Sequence, residues 1–122
     1  MPTLSTKARN AGADGIAALM NEGAGAGQLV FRTAGDVEVA TLVFSDPAFG
    51  AAAAGVVTAG AITPDASATG GTTTKATLED SDAEVMITAT VSTSGADINL
   101  SSTAISPGDT VSMTSLTMTM PA

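Results

Sequence analysis

QLVFRTAGDVEVATLVF, residues 28–44, contains two apolar, β-branched runs divided by a turn. QLVFRT (28–33) and VEVATLVF (37–44) have strand composition, and the AGD between them is a hairpin signal. In the second run Ala40, Leu42 and Phe44 fall on one face, while Thr41 and Val43 fall on the other. That period of two is the pattern of a half-buried strand.

Downstream, SDP breaks the second run, because proline cannot continue a central strand. It opens FSDPAFGAAAAG (44–55), a stretch with almost no side-chain chemistry, whose small residues let another backbone lie close. GVVTAGAI (55–62) reads as a further strand, and TPDASATGGTTT (63–74) as a long mobile loop or an arm ordered by a partner. KATLE and EVMITATV flank the acidic turn DSDA, DINL follows STSGA, and SPGD (106–109) marks another turn. In TVSMTSLTMTM the apolar phase slips at Thr114–Ser115, which calls for a β-bulge or for a strand that passes from one sheet to another.

Upstream, TLSTKARNAGADGIAALMNEG reads as a helix over about residues 4–21, capped by Thr3 or Ser5 and ended by Gly23. Ala8, Gly12, Ile16 and Leu19–Met20 form its narrow apolar stripe, and Gly12 and Gly15 would let it lie flat on a sheet. GAGAGQ (23–28) connects it to the strands. The expectation is one mainly β domain over residues 1–122, a β-sandwich or jelly-roll-like barrel over about 28–120 with one N-terminal α-helix.

Composition restricts what such a domain does. Alanine supplies 24 of the 122 residues, and Leu, Ile, Val and Phe together supply another 24, so the core is thin and neighbouring chains are expected to stabilise it. There is no His and no Cys, which removes the imidazole base, the thiolate nucleophile, the usual structural zinc site and any disulfide. Four basic residues against twelve acidic ones, net charge −8, suit neither a phosphate backbone nor an anionic membrane surface. Trp and Tyr are absent, so platforms for stacking bases or sugars are missing. No secretory leader and no long apolar run is present, and the expected site of synthesis is a cytoplasm.

The densest polar cluster is EDSDAE, with Glu79, Asp80, Asp82 and Glu84. Alternate carboxylates could face Ca²⁺, joined by Asp97 or Asp109, but the spacing lacks the glycine and terminal glutamate of an EF-hand loop. It is read as a solvated acidic turn, and a glycosidase carboxylate pair is set aside for want of an aromatic platform. GAGAG has neither the following Lys-Ser/Thr nor the spacing of a phosphate loop. No catalytic, cofactor or metal residue is assigned, and the chain is expected not to be an enzyme. The residues favour assembly instead: Thr-rich strands with few charges leave their edges undefended, and Ala51, Ala52, Ala53 and Ala54 are the candidate partner interface.

LSTKARNAGADGIAALMNEGAGAGQLVFRT, TLVFSDPAFGAAAAGVVTAGAIT and VSTSGADINLSSTAISPGDTVSMTSLTMTMPA resemble a family of small structural proteins of tailed bacteriophages. The most specific elements are FSDPAFG (44–50) and TSGADINL (93–100), then the Val/Ser/Thr-rich last strand and the terminal MPA. The departure is TGGTTTKATLEDSDAEV, which lacks the aromatic residue associated with the strand there. The resemblance implies a virion component: a head decoration or cement protein bound to the major capsid protein, as a homo-oligomer on the particle near a symmetry axis. A tail or neck protein is the alternative within that class, and a glycan- or cell-surface-binding β-sandwich the alternative outside it.

Overall fold

A computed structural model describes residues 3–20, 25–45, 48–100, 102–113 and 116–119. Among the described residues one helix, α1 (Thr6–Met20), precedes ten strands. They are β1 (Gln28–Arg32), β2 (Glu38–Phe44), β3 (Val56–Thr58), β4 (Ile62–Thr63), β5 (Gly71–Thr72), β6 (Lys75–Glu79), β7 (Val85–Ser92), β8 (Ile98–Asn99), β9 (Ala104–Ile105) and β10 (Thr117–Thr119). Six of them form a curled sheet in the order β4-β2-β1-β6-β7-β8, while β10-β3 and β5-β9 make two smaller pairs. The fold is mainly β, of the sandwich or barrel-like kind.

The sheet grows outward from the stretch 28–44. Leu29 lies opposite both Leu42 and Leu78, and Phe31 opposite Ala40 and Ala76, so one face of β2-β1-β6 is continuously apolar. Ala40, Leu42 and Phe44 are buried while Val43 is exposed, as the alternation predicts. The AGD turn closes with the Thr33 amide donating to the Val37 carbonyl at 2.9 Å and the Asp36 amide to the Thr33 carbonyl at 3.0 Å. Asp36 takes a left-handed φ of 68°, the geometry of a three-residue hairpin loop. The DSDA turn repeats it: Asp80 and Glu84 close the hairpin between β6 and β7, with Ala83 at φ 63°.

The core joins this face to α1 through Ala13, Ala17 and Met20, and to the segment after β2 through Phe49 and Val57. Met20 is buried as expected, but the rest of the inward stripe is Ala13 and Ala17 rather than Ala8, Gly12 and Ile16. Leu19 is exposed, Gly12 and Ile16 are only half-buried, and Gly15 faces open space. Two alanines one turn apart give the closer approach, since their methyls let the helix sit directly on β3 and β7. Ser5 is its N-cap, its Oγ accepting from the Ala8 amide at 3.1 Å.

Several boundaries differ from the sequence reading. GVVTAGAI is not one strand: β3 pairs with β10, and β4 returns to pair with β2. The segment 63–74 is not an arm awaiting a partner. Asp65 bridges Val111, Ala68 exchanges bonds with Asp109 and Gly108, and the Gly70 amide donates to the Val39 carbonyl. Thr73 is buried, its hydroxyl set against the Arg32 carbonyl at 3.1 Å and the Lys75 carbonyl at 3.2 Å. Gly70, at φ 92°, lies so close to Pro107 that a Cβ would come within 2.7 Å of its nitrogen. The last run changes partner along its length, with Val111 bridging Asp65 and β10 pairing with β3. The phase slip at Thr114–Ser115, the Gly23 helix end, the break at Asp46–Pro47 and the terminal MPA lie outside the described residues.

Candidate interaction surface

AFGAAAAG, residues 48–55, folds against the chain's own helix. Phe44 and Phe49 are both buried, their rings 5.7 Å apart between centroids and tilted by 41°. The Gly60 amide donates to the Ala48 carbonyl at 2.9 Å and the Gly50 amide to the Thr58 carbonyl at 3.1 Å, which ties the stretch to the segment returning from β3. Ala53 and Val56 then exchange backbone hydrogen bonds at 2.9 Å in both directions. Between them Ala54 and Gly55 have φ of 52° and 78°, so the alanine run ends in a two-residue hairpin turn with both central residues left-handed.

Two side chains of α1 hold that turn. Asp14 Oδ1 accepts from the Ala52 amide at 2.8 Å, and Asn10 Oδ1 accepts from the Gly55 amide at 2.7 Å. Asn10 and Asp14 are four residues apart and so share one helix face. A Cβ on Gly55 would stand 3.0 Å from the Arg9 Cβ, which is why the run of alanines gives way to glycine at that point. The chain's own first helix thus holds the backbone of this turn through the Ala52 and Gly55 amides. Ala52 is half-buried against the core, whereas Ala51, Ala53 and Ala54 are exposed. The four candidate residues thus divide: one serves internal packing and three face outward on a hairpin clamped from behind.

The charged groups are distributed differently from the sequence expectation. The acidic turn is not solvated throughout, for Glu79 and Asp80 are buried. Glu79 Oε2 receives the Arg32 guanidinium at 2.8 Å and the Thr77 hydroxyl at 2.5 Å, and Arg32 Nε also donates to Thr77 Oγ1 at 3.1 Å. Asp80 Oδ1 accepts from the amides of Asp82 and Glu84 at 2.9 and 3.0 Å, so this carboxylate builds the turn. Asp82 and Glu84 point to solvent. Among the described residues no three His, Cys, Asp or Glu side chains converge as metal ligands. Asp97 is spent on Thr90, accepting from its amide at 3.1 Å, and Asp109 on the Ser106 amide at 3.0 Å.

Asp36 pairs with Lys75 at 2.5 Å. The hydrogen bond from the Lys75 ammonium, and then its charge, hold the Asp36 carboxyl below its ordinary value. Two of the four cations, Arg32 and Lys75, are thereby neutralised within the sheet. The other two, Lys7 and Arg9, lie on α1, with Arg9 against Gly55 of the alanine hairpin. Among the described residues no helix is long and apolar enough to cross a membrane.

No protein-family model matches the chain, and neither does any curated protein or solved structure.

Proposed function

We propose that this chain is a non-enzymatic structural protein of a tailed-bacteriophage virion, a head decoration or cement protein that docks on the major capsid protein lattice. The observation that carries the reading is the alanine hairpin, exposed at Ala51, Ala53 and Ala54 yet pinned from below by Asn10 and Asp14. An uncharged hairpin that is already ordered loses little conformational entropy on binding, and a lattice repeats that gain at each copy. The resemblance of FSDPAFG and TSGADINL to phage structural proteins points the same way. The net charge of −8 keeps free copies apart until they meet the particle, where they sit as a homo-oligomer.

The test separates virions, isolated heads and isolated tails, and labels each with antibody to the purified chain for electron microscopy. Heads are expected to carry the label. Label confined to tails would move the protein to the tail or neck, and particles free of label would end the virion reading. Ala53→Leu sharpens the test, because overpacking a fixed contact costs about 1–3 kcal/mol per site. That variant is expected to fold as the parent does and to fall in occupancy on reconstituted heads.

A further inference from the structure

Strand β7 spans Val85–Ser92, yet β8 covers just Val91 and Ser92 on its outer side. The amide of Val91 donates toward β6, to the Thr74 carbonyl at 3.0 Å. Along an extended strand the amides of Ile87 and Ala89 then point the same way, and those of Thr88 and Thr90 point outward. Thr90 is met there by Asp97, as described above. Thr88 has no strand pairing with it on that side among the described residues.

Next to this edge lies a groove of about 250 Å³ lined by Phe49, Leu78, Ile87 and Ile98, with Leu116 and Met118 from the β10 segment. Strand β10 is itself paired on one side alone among the described residues, with β3. An apolar trough thus adjoins two strands that, among the described residues, each have an unpaired stretch of edge. The sequence VMITATVS carries no charge to repel an added strand. Carboxylates stand at both ends of the open edge: exposed Asp82 and Glu84 before it, and Asp97 after it.

We infer that the outer edge of β7, from Val85 to Ala89, is an addition site for an extended segment of another protein, apolar at alternate positions and bearing Lys or Arg at both ends. The added backbone bonds to the Thr88 amide and carbonyl, alternate side chains fill the groove, and the terminal cations meet Glu84 and Asp97. A second copy of this chain is disfavoured as the occupant, because it brings a net charge of −8 and the same acidic turns. The site rests on ladder geometry and charge, independently of the virion reading.

The probe is the acetylated, amidated peptide Lys-Val-Thr-Val-Thr-Val-Lys, added to the isotopically labelled full chain while amide hydrogen exchange is followed by NMR. At saturating peptide the Thr88 amide is expected to exchange about tenfold more slowly, with Ile87 and Ala89, already in the ladder, unchanged. A peptide with Glu at both ends is expected to bind about fivefold more weakly, and Glu84→Lys to narrow or reverse that order. Methylating the alternate backbone nitrogens of the peptide that face Thr88 abolishes binding while leaving the protein untouched. Thr88→Pro, which removes the outward donor while costing no bond to β6, does the same with an unaltered circular dichroism spectrum. Unchanged Thr88 exchange with peptide, equal binding of the two peptides, or Thr88 protection that rises with protein concentration alongside a dimer in sedimentation would each overturn the proposal.

Discussion

Phe44→Ala removes a phenyl ring from a position 2% exposed, at the end of β2 where the core meets the alanine stretch. The surrounding backbone is fixed, with Phe44 paired to Ile62 and its amide donating to the Gly27 carbonyl at 3.0 Å, so the void has little freedom to collapse. At about 25 cal/mol per Å² over roughly 120 Å² of lost apolar area, the transfer loss is about 3 kcal/mol. Losing the tilted contact with Phe49 adds about 0.5–1.5 kcal/mol. The sum, about 3–5 kcal/mol, matches large-to-small substitutions in other cores and is a large part of the roughly 5–15 kcal/mol that holds a domain together. Phe44→Leu, which keeps most of the volume, is expected to cost about 1 kcal/mol. Urea unfolding followed by far-ultraviolet circular dichroism is the assay, because the chain has no Trp or Tyr to report by fluorescence. The cycle completed by Phe49→Ala isolates the ring pair, with a coupling of about 0.5–1.5 kcal/mol. A loss for Phe44→Ala below about 1 kcal/mol would refute the burial argument.

Ala83 holds a left-handed φ of 63°, so Ala83→Gly is expected to raise stability in urea by about 0.5–1 kcal/mol, and no gain would count against the turn geometry. The carboxyl of Asp36 is depressed in the folded chain, so its pairing with Lys75 favours folding above the unfolded carboxyl's range and is lost as pH falls through the folded one. An NMR titration should therefore place Asp36 below its ordinary value in the parent and return it upward in Lys75→Gln. Chelation by EDTA is expected to leave the melting temperature unchanged, because Glu79 and Asp80 are already committed to Arg32 and to turn amides. A drop restored by Ca²⁺ and lost in Asp82→Ala would reverse that reading.

Local patterns in the sequence carried the hairpins. Alternation at Ala40, Leu42 and Phe44, the AGD turn, KATLE facing EVMITATV, and the Ser5 cap all depend on neighbours within a few residues, and all appear where expected. What escaped was long-range pairing between short, small-residue strands. Nothing in Gly71–Thr72 or Ala104–Ile105 announces that they pair, and β8 joins β7 in parallel through two residues. The helix stripe was misplaced because Leu and Ile weigh more than Ala in a hydropathy pattern, whereas a thin core selects for close approach. At the candidate surface, the alanines were legible as a close-packing element, but Asn10 and Asp14 were not. They read as an ordinary polar helix face, and a hydrogen bond across 38 or 45 residues leaves no local trace. Glu79 was misread for the same reason, since its partner Arg32 lies 47 residues away.

That pair also bears on how a chain so rich in Thr, Ala and Val keeps a single strand alignment. On the outer side of β2-β1-β6, Thr41, Val30 and Thr77 sit side by side, and sliding β6 by two residues would set similar residues in similar places. Arg32 and Glu79 break this degeneracy. They stand diagonally, with Thr77 between them, and a slip that carries Glu79 further from Arg32 breaks their bond. In a sheet slipped that way the buried carboxylate would lose its guanidinium, a penalty of about 3–5 kcal/mol concentrated on the wrong pairing. The ion pair therefore acts as a vernier mark: it adds little to the strength of the correct sheet and makes a slip in that direction costly.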